Sequence, residues 1–102
     1  MKTISVDELN DRLNGGEEVF MIDVREDHER ALGNIGGEHI PMGIIAQKTD
    51  KIPKDQEVII YCRSGNRSGK VVVFLEQQGF TNLLNLEGGM LEWKAEVDAS
   101  ID

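Results

Sequence analysis

The sequence has one cysteine, few basic residues and no long apolar run among its 102 residues. A single cysteine cannot form a disulfide within the chain, and unpaired thiols are typical of the reducing cytoplasm. No apolar run has the length of a signal peptide or of a membrane-spanning helix. We therefore expect a cytoplasmic protein that does not insert into a membrane.

Basic residues are outnumbered, with 11 Lys and Arg against 19 Asp and Glu, so the net charge is −8 at pH 7. Proteins that bind nucleic acids or anionic membranes generically need a basic surface. We expect neither kind of partner, and a site for an anion must be a local feature. His28 and His39 lie far from Cys62 in the sequence, so no Cys/His cluster has the spacing of metal ligands. We predict no metal and no organic cofactor.

Short apolar runs alternate with helical patterns along the chain. We predict strands at residues 19–22, 38–40, 58–61 and 83–86. The predicted helices span residues 5–13, 26–32, 42–47, 68–78 and 90–96. This alternation is typical of an α/β fold with a central parallel sheet flanked by helices on both faces. The length suits one domain, residues 1–102, with a core at 4–95 and a short acidic tail.

The helix predicted at 68–78 is ambiguous, because its three valines at 71–73 favour a strand by composition. We assign a helix because the run follows a strand after one tight loop and stops at Gly79, a residue type that commonly ends helices. A helix at this place would form the crossover between two parallel strands.

The run Tyr61-Cys62-Arg63-Ser64-Gly65-Asn66-Arg67-Ser68 places the cysteine where an apolar strand gives way to a cationic loop. A free thiol, with a pKa of ~8.5, is mostly protonated at neutral pH, so a reactive cysteine needs its anion stabilised. The candidates are the guanidinium groups of Arg63 and Arg67, the N–H groups of the loop, and the positive end of a helix beginning near Ser68. Gly65 lets the loop curl so that successive N–H groups converge.

The alternative is a structural cysteine in the core, since free cysteine is among the most buried residue types. Two arginines and a glycine within five residues of Cys62 argue against it, because an apolar core does not require such neighbours. Ligands of open parallel sheets bind outside the carboxyl ends of the strands, which is where Cys62 falls. We therefore predict an anion-handling nucleophile.

The loop resembles that of the rhodanese-homology family, in which a Cys-Arg-x-Gly-x-Arg motif carries a persulfide. Residues 62–67 match this motif at every defined position. Three further segments are similar in order and spacing: Asp23-Val24-Arg25-Glu26, the turn Ile40-Pro41, and the Gly-Gly-x-x-x-Trp motif within residues 85–93. The resemblance covers residues 4–94 and implies a three-layer rhodanese-like domain.

One segment departs from the family, which often has Gly-His-Ile-x-Gly-Ala before the Ile-Pro turn. Here Asn34 replaces the histidine, and the segment 33–41 is one residue shorter. The departure affects the local turn and the rim of the pocket rather than the cysteine loop.

The resemblance implies a sulfurtransferase that works through a persulfide on Cys62. A donor such as thiosulfate supplies the sulfur, and the acceptor is cyanide or a thiol, which includes the thiol of a small redox protein. Arg63 and Arg67 would attract the dianionic donor and balance the leaving sulfite. The loop would hold the outer sulfur through the N–H groups of residues 63–68, a stretch that includes Ser64, Gly65, Asn66 and Ser68.

Two alternatives stay open for the same thiolate. A cysteine-dependent phosphatase or arsenate reductase also uses an arginine-containing loop, but those phosphatases have Cys-x5-Arg where Cys62 and Arg67 give Cys-x4-Arg. A non-catalytic sulfur carrier or redox sensor would need the same ionised thiol. The sequence does not separate a carrier from a sensor.

Asp23 and Arg25 follow the end of a predicted strand, so they could support the site by facing the same crevice as Cys62. We favour a different interpretation, in which the two side chains form an internal ion pair that holds the second loop. Both residues are therefore predicted as supporting residues rather than as catalytic ones.

Overall fold

A five-stranded parallel sheet forms the centre of the computed structural model, which describes residues 1–101. The strands lie in the order β1-β5-β4-β2-β3, and every neighbouring pair is parallel. Strand β4 is therefore central, with β5 on one side and β2 on the other. The strands are β1 (Thr3–Ile4), β2 (Phe20–Asp23), β3 (Glu38–His39), β4 (Val58–Tyr61) and β5 (Leu83–Leu86).

Within the described part of the chain, four α-helices flank this sheet. They are α1 (Val6–Asn14), α2 (Asp27–Leu32), α3 (Asn66–Gln77) and α4 (Gly89–Glu96), and two 3-10 helices lie at Met42–Gln47 and Thr49–Lys51. Helix α1 begins as its sequence predicts, because the Ser5 side chain accepts a hydrogen bond from the Glu8 N–H at 3.1 Å. Within residues 1–101, no helix has both the length and the apolar character needed to cross a membrane.

The central strand carries apolar side chains on both faces, as expected for a parallel strand covered by helices on each side. Val58 and Ile60 pack in one layer with the buried face of α3. Ile59 and Tyr61 pack in the other layer with residues of α1 and α4. The predicted fold class, a parallel sheet flanked by helices, is confirmed.

The three valines at residues 71–73, whose composition favours a strand, lie in helix α3. Val71 and Val72 are buried, whereas Val73 is 45% exposed, which is the pattern of a helix with one face on the core. The helix begins at Asn66, two residues earlier than predicted, because Gly65 takes a left-handed conformation (φ 94°) that turns the chain into it.

Other boundaries differ slightly from the prediction. Strand β2 lies one residue later, and residues 42–47 form a 3-10 helix rather than an α-helix. Strand β1 was not predicted, since only two residues pair with β5 and so short a strand leaves no alternation in the sequence.

Replacement of Leu75 tests the packing of α3. Leu75 is fully buried against the sheet, so Leu75→Ala should lower the free energy of unfolding by about 2–5 kcal/mol. Val73→Ala, on the exposed face of the same helix, should change it by no more than about 0.5 kcal/mol. Urea denaturation measures both, and equal losses would contradict this orientation of α3.

Candidate functional site

Cys62 directly follows β4 at the carboxyl edge of the sheet, where the sequence predicts the nucleophile. The Cys62 carbonyl accepts a hydrogen bond from the Met90 N–H at 3.0 Å, and the Arg63 carbonyl accepts one from the Leu91 N–H at 2.9 Å. Both donors belong to the first turn of α4, whose N–H groups have no partner within the helix. A Cβ on Gly89 would collide with the Cys62 oxygen, so only glycine allows this approach. Helix α4 thus holds these two carbonyls away from the sulfur.

Three donors converge on the Cys62 sulfur. Gly65 N lies 3.2 Å from Sγ, and the N and Oγ atoms of Ser68 each lie 3.3 Å from it. Ser68 belongs to the first turn of α3, so the positive end of this helix also faces the sulfur. We call these donors, the N–H groups of Gly65 and Ser68 and the Ser68 hydroxyl, the sulfur cradle.

The pKa of Cys62 results from two opposing influences. Burial is the larger single influence and raises the pKa, because Cys62 is 0% exposed and a buried anion loses its hydration. Hydrogen bonds from the Ser68 hydroxyl and from the N–H groups of Ser68, Gly65 and Ser64 lower it. Together these bonds outweigh burial, so the pKa lies below that of an ordinary thiol. Of the candidates that the sequence offers, the N–H groups of the loop therefore contribute to stabilising the thiolate, together with the Ser68 hydroxyl.

The two arginines of the loop have different surroundings. Arg67 donates to both carboxylate oxygens of Glu29, each at 2.7 Å. This pairing raises the pKa of Arg67 and lowers the pKa of Glu29 to about 2. The Arg63 side chain is exposed and has no hydrogen-bond or ion-pair partner among residues 1–101. Arg63 is therefore available to an incoming anion, whereas the charge of Arg67 is largely balanced by Glu29.

Asp23 and Arg25 form a buried ion pair after β2. The Arg25 Nε and Nη2 atoms donate to the two carboxylate oxygens of Asp23 at 3.0 and 2.9 Å, and Nη2 also reaches the Gly33 carbonyl at 2.7 Å. Arg30 adds a contact of 3.3 Å to Asp23. The interpretation of Asp23 and Arg25 as an internal ion pair is confirmed, and the pair ties both ends of α2 to the sheet.

A cavity of about 270 Å³ lies beside the cysteine loop. Its lining combines cations, one acid and apolar side chains from α2, the loop and α4, namely Arg25, Glu29, Leu32, Arg63, Met90, Leu91 and Lys94. A larger cavity, of about 580 Å³, lies along the edge strand β3 and includes no residue of the cysteine loop. Cys62 itself is fully buried and does not line the smaller cavity, to which its neighbour Arg63 belongs.

In residues 33–41, the segment that departs from the family, the backbone of Gly36 forms hydrogen bonds with two side chains. Asn34 Oδ1 accepts from the Gly36 N–H at 2.9 Å, and the Tyr61 hydroxyl donates to the Gly36 carbonyl at 2.8 Å. Burial raises the pKa of Tyr61 to about 12, so this hydroxyl stays a donor. No residue of the segment is among those lining the 270 Å³ cavity of the described chain.

Other residues of the predicted loop contribute only through their backbone. The side chains of Ser64 and Asn66 are exposed, while their peptide groups form the turn into α3. Sequence reasoning missed two partners of the loop, the partly buried Glu29 and the buried Asn85. The signal for Asn85 was available, because it is the one polar residue in the strand Leu83-Leu84-Asn85-Leu86.

Comparisons with known proteins agree with this geometry. Residues 5–96 match the family described as rhodanese-like domain. The chain is 44% identical over 97 residues to YtwF of Bacillus subtilis, which is provisionally named a sulfurtransferase, and the match covers 94% of this chain and 93% of that protein. It is 42% identical over 91 residues to a sulfurtransferase of Allochromatium vinosum, with 88% and 85% covered.

A solved structure shows the same fold. The crystal structure of a rhodanese-like domain protein from Staphylococcus aureus has a TM-score of 0.85 and 39% sequence identity, and the match covers 91% of each chain. The fold and the family implied by the motifs of the sequence are therefore confirmed.

Removal of the Ser68 hydroxyl tests the sulfur cradle. Ser68→Ala should raise the pKa of Cys62 by about one unit, since a hydrogen bond to a charged group contributes roughly 1.5 kcal/mol and one unit corresponds to about 1.4 kcal/mol. The measurement is the pH dependence of alkylation by iodoacetamide. Ser64→Ala is the matched control, because its exposed hydroxyl lies in the same loop and the backbone N–H is kept. Equal midpoints in the parent and Ser68→Ala would contradict the assigned role.

The Glu29–Arg67 pair should contribute to stability in a pH-dependent way. The pKa of Glu29 is lowered from 4.5 to about 2, so its contribution is complete above pH 4.5 and is lost as the pH falls towards 2. Glu29→Gln keeps an oxygen that can accept the Glu26 N–H bond but removes the charge. We expect this variant to be less stable than the parent at pH 7, with the difference shrinking below pH 4.5.

Urea denaturation at several pH values provides the measurement for Glu29→Gln. Glu76→Gln, an exposed position on α3 without an ion pair among residues 1–101, controls for the loss of one surface carboxylate. A difference between parent and Glu29→Gln that does not change between pH 7 and pH 2.5 would contradict the pairing.

Proposed function

The chain belongs to the rhodanese-like domain family, and on that basis we propose that it is a sulfurtransferase that carries a sulfane sulfur on Cys62. The observation that supports this proposal most directly is the convergence of the Gly65 and Ser68 donors on Sγ at 3.2–3.3 Å. An ionised thiol is the nucleophile that attack on a sulfane sulfur requires. The names of the two relatives, both of which include sulfurtransferase, agree with it.

The reaction would proceed in two covalent steps. In the first, the Cys62 thiolate attacks the outer sulfur of thiosulfate or a related donor. A bond between the Cys62 sulfur and this sulfur forms, the sulfur–sulfur bond of the donor breaks, and sulfite leaves with the electron pair. In the second, a thiolate or cyanide attacks the outer sulfur of the persulfide and releases the Cys62 thiolate. The second step restores the starting enzyme without an external oxidant or reductant.

The roles of the loop residues follow from their positions. Arg63 lines the cavity and has no partner within residues 1–101, so it would attract the anionic donor and balance the charge of the leaving sulfite. Arg67, held by Glu29, would keep the loop in place and contribute less charge than Arg63. Once sulfur is loaded, the N–H groups of the loop would stabilise the anionic outer sulfur, with contributions from Ser64, Gly65, Asn66 and Ser68.

The proposed reaction needs no resident cofactor besides the covalent persulfide. No group of three or more His, Cys, Asp or Glu side chains within residues 1–101 could hold a metal ion. The thiol acceptor would be a small molecule or a small redox protein, and cyanide would replace it in an assay. We place this chemistry in a reducing compartment such as the cytoplasm, where the single cysteine stays a thiol.

The size of the loop favours sulfur transfer over phosphate hydrolysis. Cys62 and Arg67 are separated by four residues, one fewer than in the Cys-x5-Arg loops of cysteine phosphatases. With Gly65 and Ser68 already within 3.3 Å of Sγ, the cradle suits a single added sulfur better than a phosphoryl group with three equatorial oxygens.

Intact mass after incubation with thiosulfate tests the proposal. The parent protein should gain the mass of one sulfur atom, and cyanide should remove it with formation of thiocyanate. Cys62→Ser should gain none, because it lacks the only thiol of the chain. Thiocyanate production over many turnovers would distinguish an enzyme from a carrier or sensor that loads once.

Three outcomes would count against the proposed function. An unchanged mass with thiosulfate and with an organic persulfide would exclude a persulfide at this site. Sulfur retained on Cys62→Ser would place it on another group. Hydrolysis of an aryl phosphate faster than sulfur transfer would favour the phosphatase alternative.

A further inference from the structure

Asn85 is a buried polar residue that contacts the cysteine loop from the neighbouring strand. It lies in β5, is 6% exposed, and packs beside the leucines of the same strand. Its Nδ2 atom donates to the Gly65 carbonyl at 3.1 Å, and its Oδ1 atom accepts from the Ser68 hydroxyl at 2.5 Å. A buried amide in an apolar strand costs free energy unless it is paired. Both of its partners belong to the two residues that donate to the sulfur, Gly65 and Ser68.

The bond to Gly65 fixes the direction of a peptide group. The Gly65 carbonyl accepts from the Asn85 amide and from the Gly69 N–H at 3.0 Å, on the side away from the sulfur. The Gly65 N–H points the other way, to Sγ at 3.2 Å. Gly65 tolerates many backbone conformations, so an external bond is needed to hold one of them.

The Ser68 hydroxyl has one proton and two acceptors within reach. Asn85 Oδ1 lies 2.5 Å from Ser68 Oγ, and Cys62 Sγ lies 3.3 Å from it. A hydroxyl donates one hydrogen bond at a time. When the sulfur is uncharged, the shorter bond to Asn85 holds the proton. When the sulfur is a thiolate, a bond to the charged acceptor is the stronger one, and the hydroxyl turns to Sγ without moving its oxygen.

We propose that Asn85 is a positioning residue of the sulfur cradle: it fixes the Gly65 peptide and holds the Ser68 oxygen beside Cys62, so that the donors are already in place when the thiol ionises. The inference rests on the proposed function only for its purpose, because during sulfur transfer Sγ alternates between a charged thiolate and the uncharged inner sulfur of a persulfide. The geometry itself is independent of which sulfur donor is used.

Replacement of Asn85 by alanine tests this role. Asn85→Ala should raise the midpoint of iodoacetamide alkylation of Cys62 by about half a pH unit or more, because the Gly65 N–H is no longer held towards Sγ and this loss exceeds the effect of freeing the Ser68 hydroxyl from Asn85. Below the midpoint, the thiolate fraction is then about threefold smaller. The charged side chains around the loop are kept, so they cannot cause the shift; they are Arg25, Glu29, Arg63, Arg67 and Lys94. An unchanged or lower midpoint would overturn the proposal.

Asn82→Ala is the matched control for stability. Asn82 precedes β5 by one residue, and its amide also donates to backbone carbonyls, those of Pro53 and Gln56 at 2.7 and 2.6 Å. Its loss should lower the free energy of unfolding without moving the alkylation midpoint, since it has no contact with the cradle. If Asn82→Ala shifted the midpoint as much as Asn85→Ala, the effect would be one of general stability and the proposal would be wrong.

A double variant separates the two bonds of Asn85. If Asn85 acts through both Gly65 and Ser68, Ser68→Ala/Asn85→Ala should have a higher midpoint than Ser68→Ala alone. Equal midpoints would overturn the part assigned to Gly65. Because alkylation measures the thiolate directly, a shifted midpoint in a protein that never loads sulfur would support the role of Asn85 and refute the proposed sulfur transfer.

Discussion

The site depends on the direction of the peptide groups in the turn after β4. Each peptide has a donor and an acceptor, and the donors can face the sulfur only if the acceptors are bonded elsewhere. The carbonyls of Cys62 and Arg63 are bonded by α4, and that of Gly65 is bonded by α3 and Asn85. Three separate elements of the fold are thus required to orient one short loop.

This arrangement explains how an acidic protein can stabilise an anion. The net charge of −8 is unfavourable to an anion at long range, and burial adds a further cost. Fixed dipoles at about 3.3 Å overcome both because they act at short range and are already oriented. The pairing of Arg67 with Glu29 acts in the opposite direction, since it leaves Arg63 as the unbalanced positive charge of the loop within residues 1–101.

The sequence was sufficient for the fold class and for the position of Cys62. Both follow from local patterns: apolar runs alternating with helices, and a cysteine between a strand and a glycine-containing loop. It was not sufficient for Glu29 or Asn85. Glu29 lies 38 residues from its partner Arg67, and Asn85 lies 20 residues from Gly65. These residues come into contact only because of the order of the strands in the sheet. Strand β1 was missed for the same reason, since its two residues are defined by pairing with β5.

Helix α4 has a consequence for how the protein responds to heat or denaturant. Its Met90 and Leu91 N–H groups hold the loop, while α4 is a helix of eight residues that packs on the core through Met90 and Trp93. A peripheral helix opens locally at lower cost than a central sheet. When α4 detaches, the Cys62 and Arg63 carbonyls lose their donors while β4 and its neighbours remain paired. Hydrogen exchange at these two amides therefore reports the integrity of the thiolate environment, separately from global unfolding.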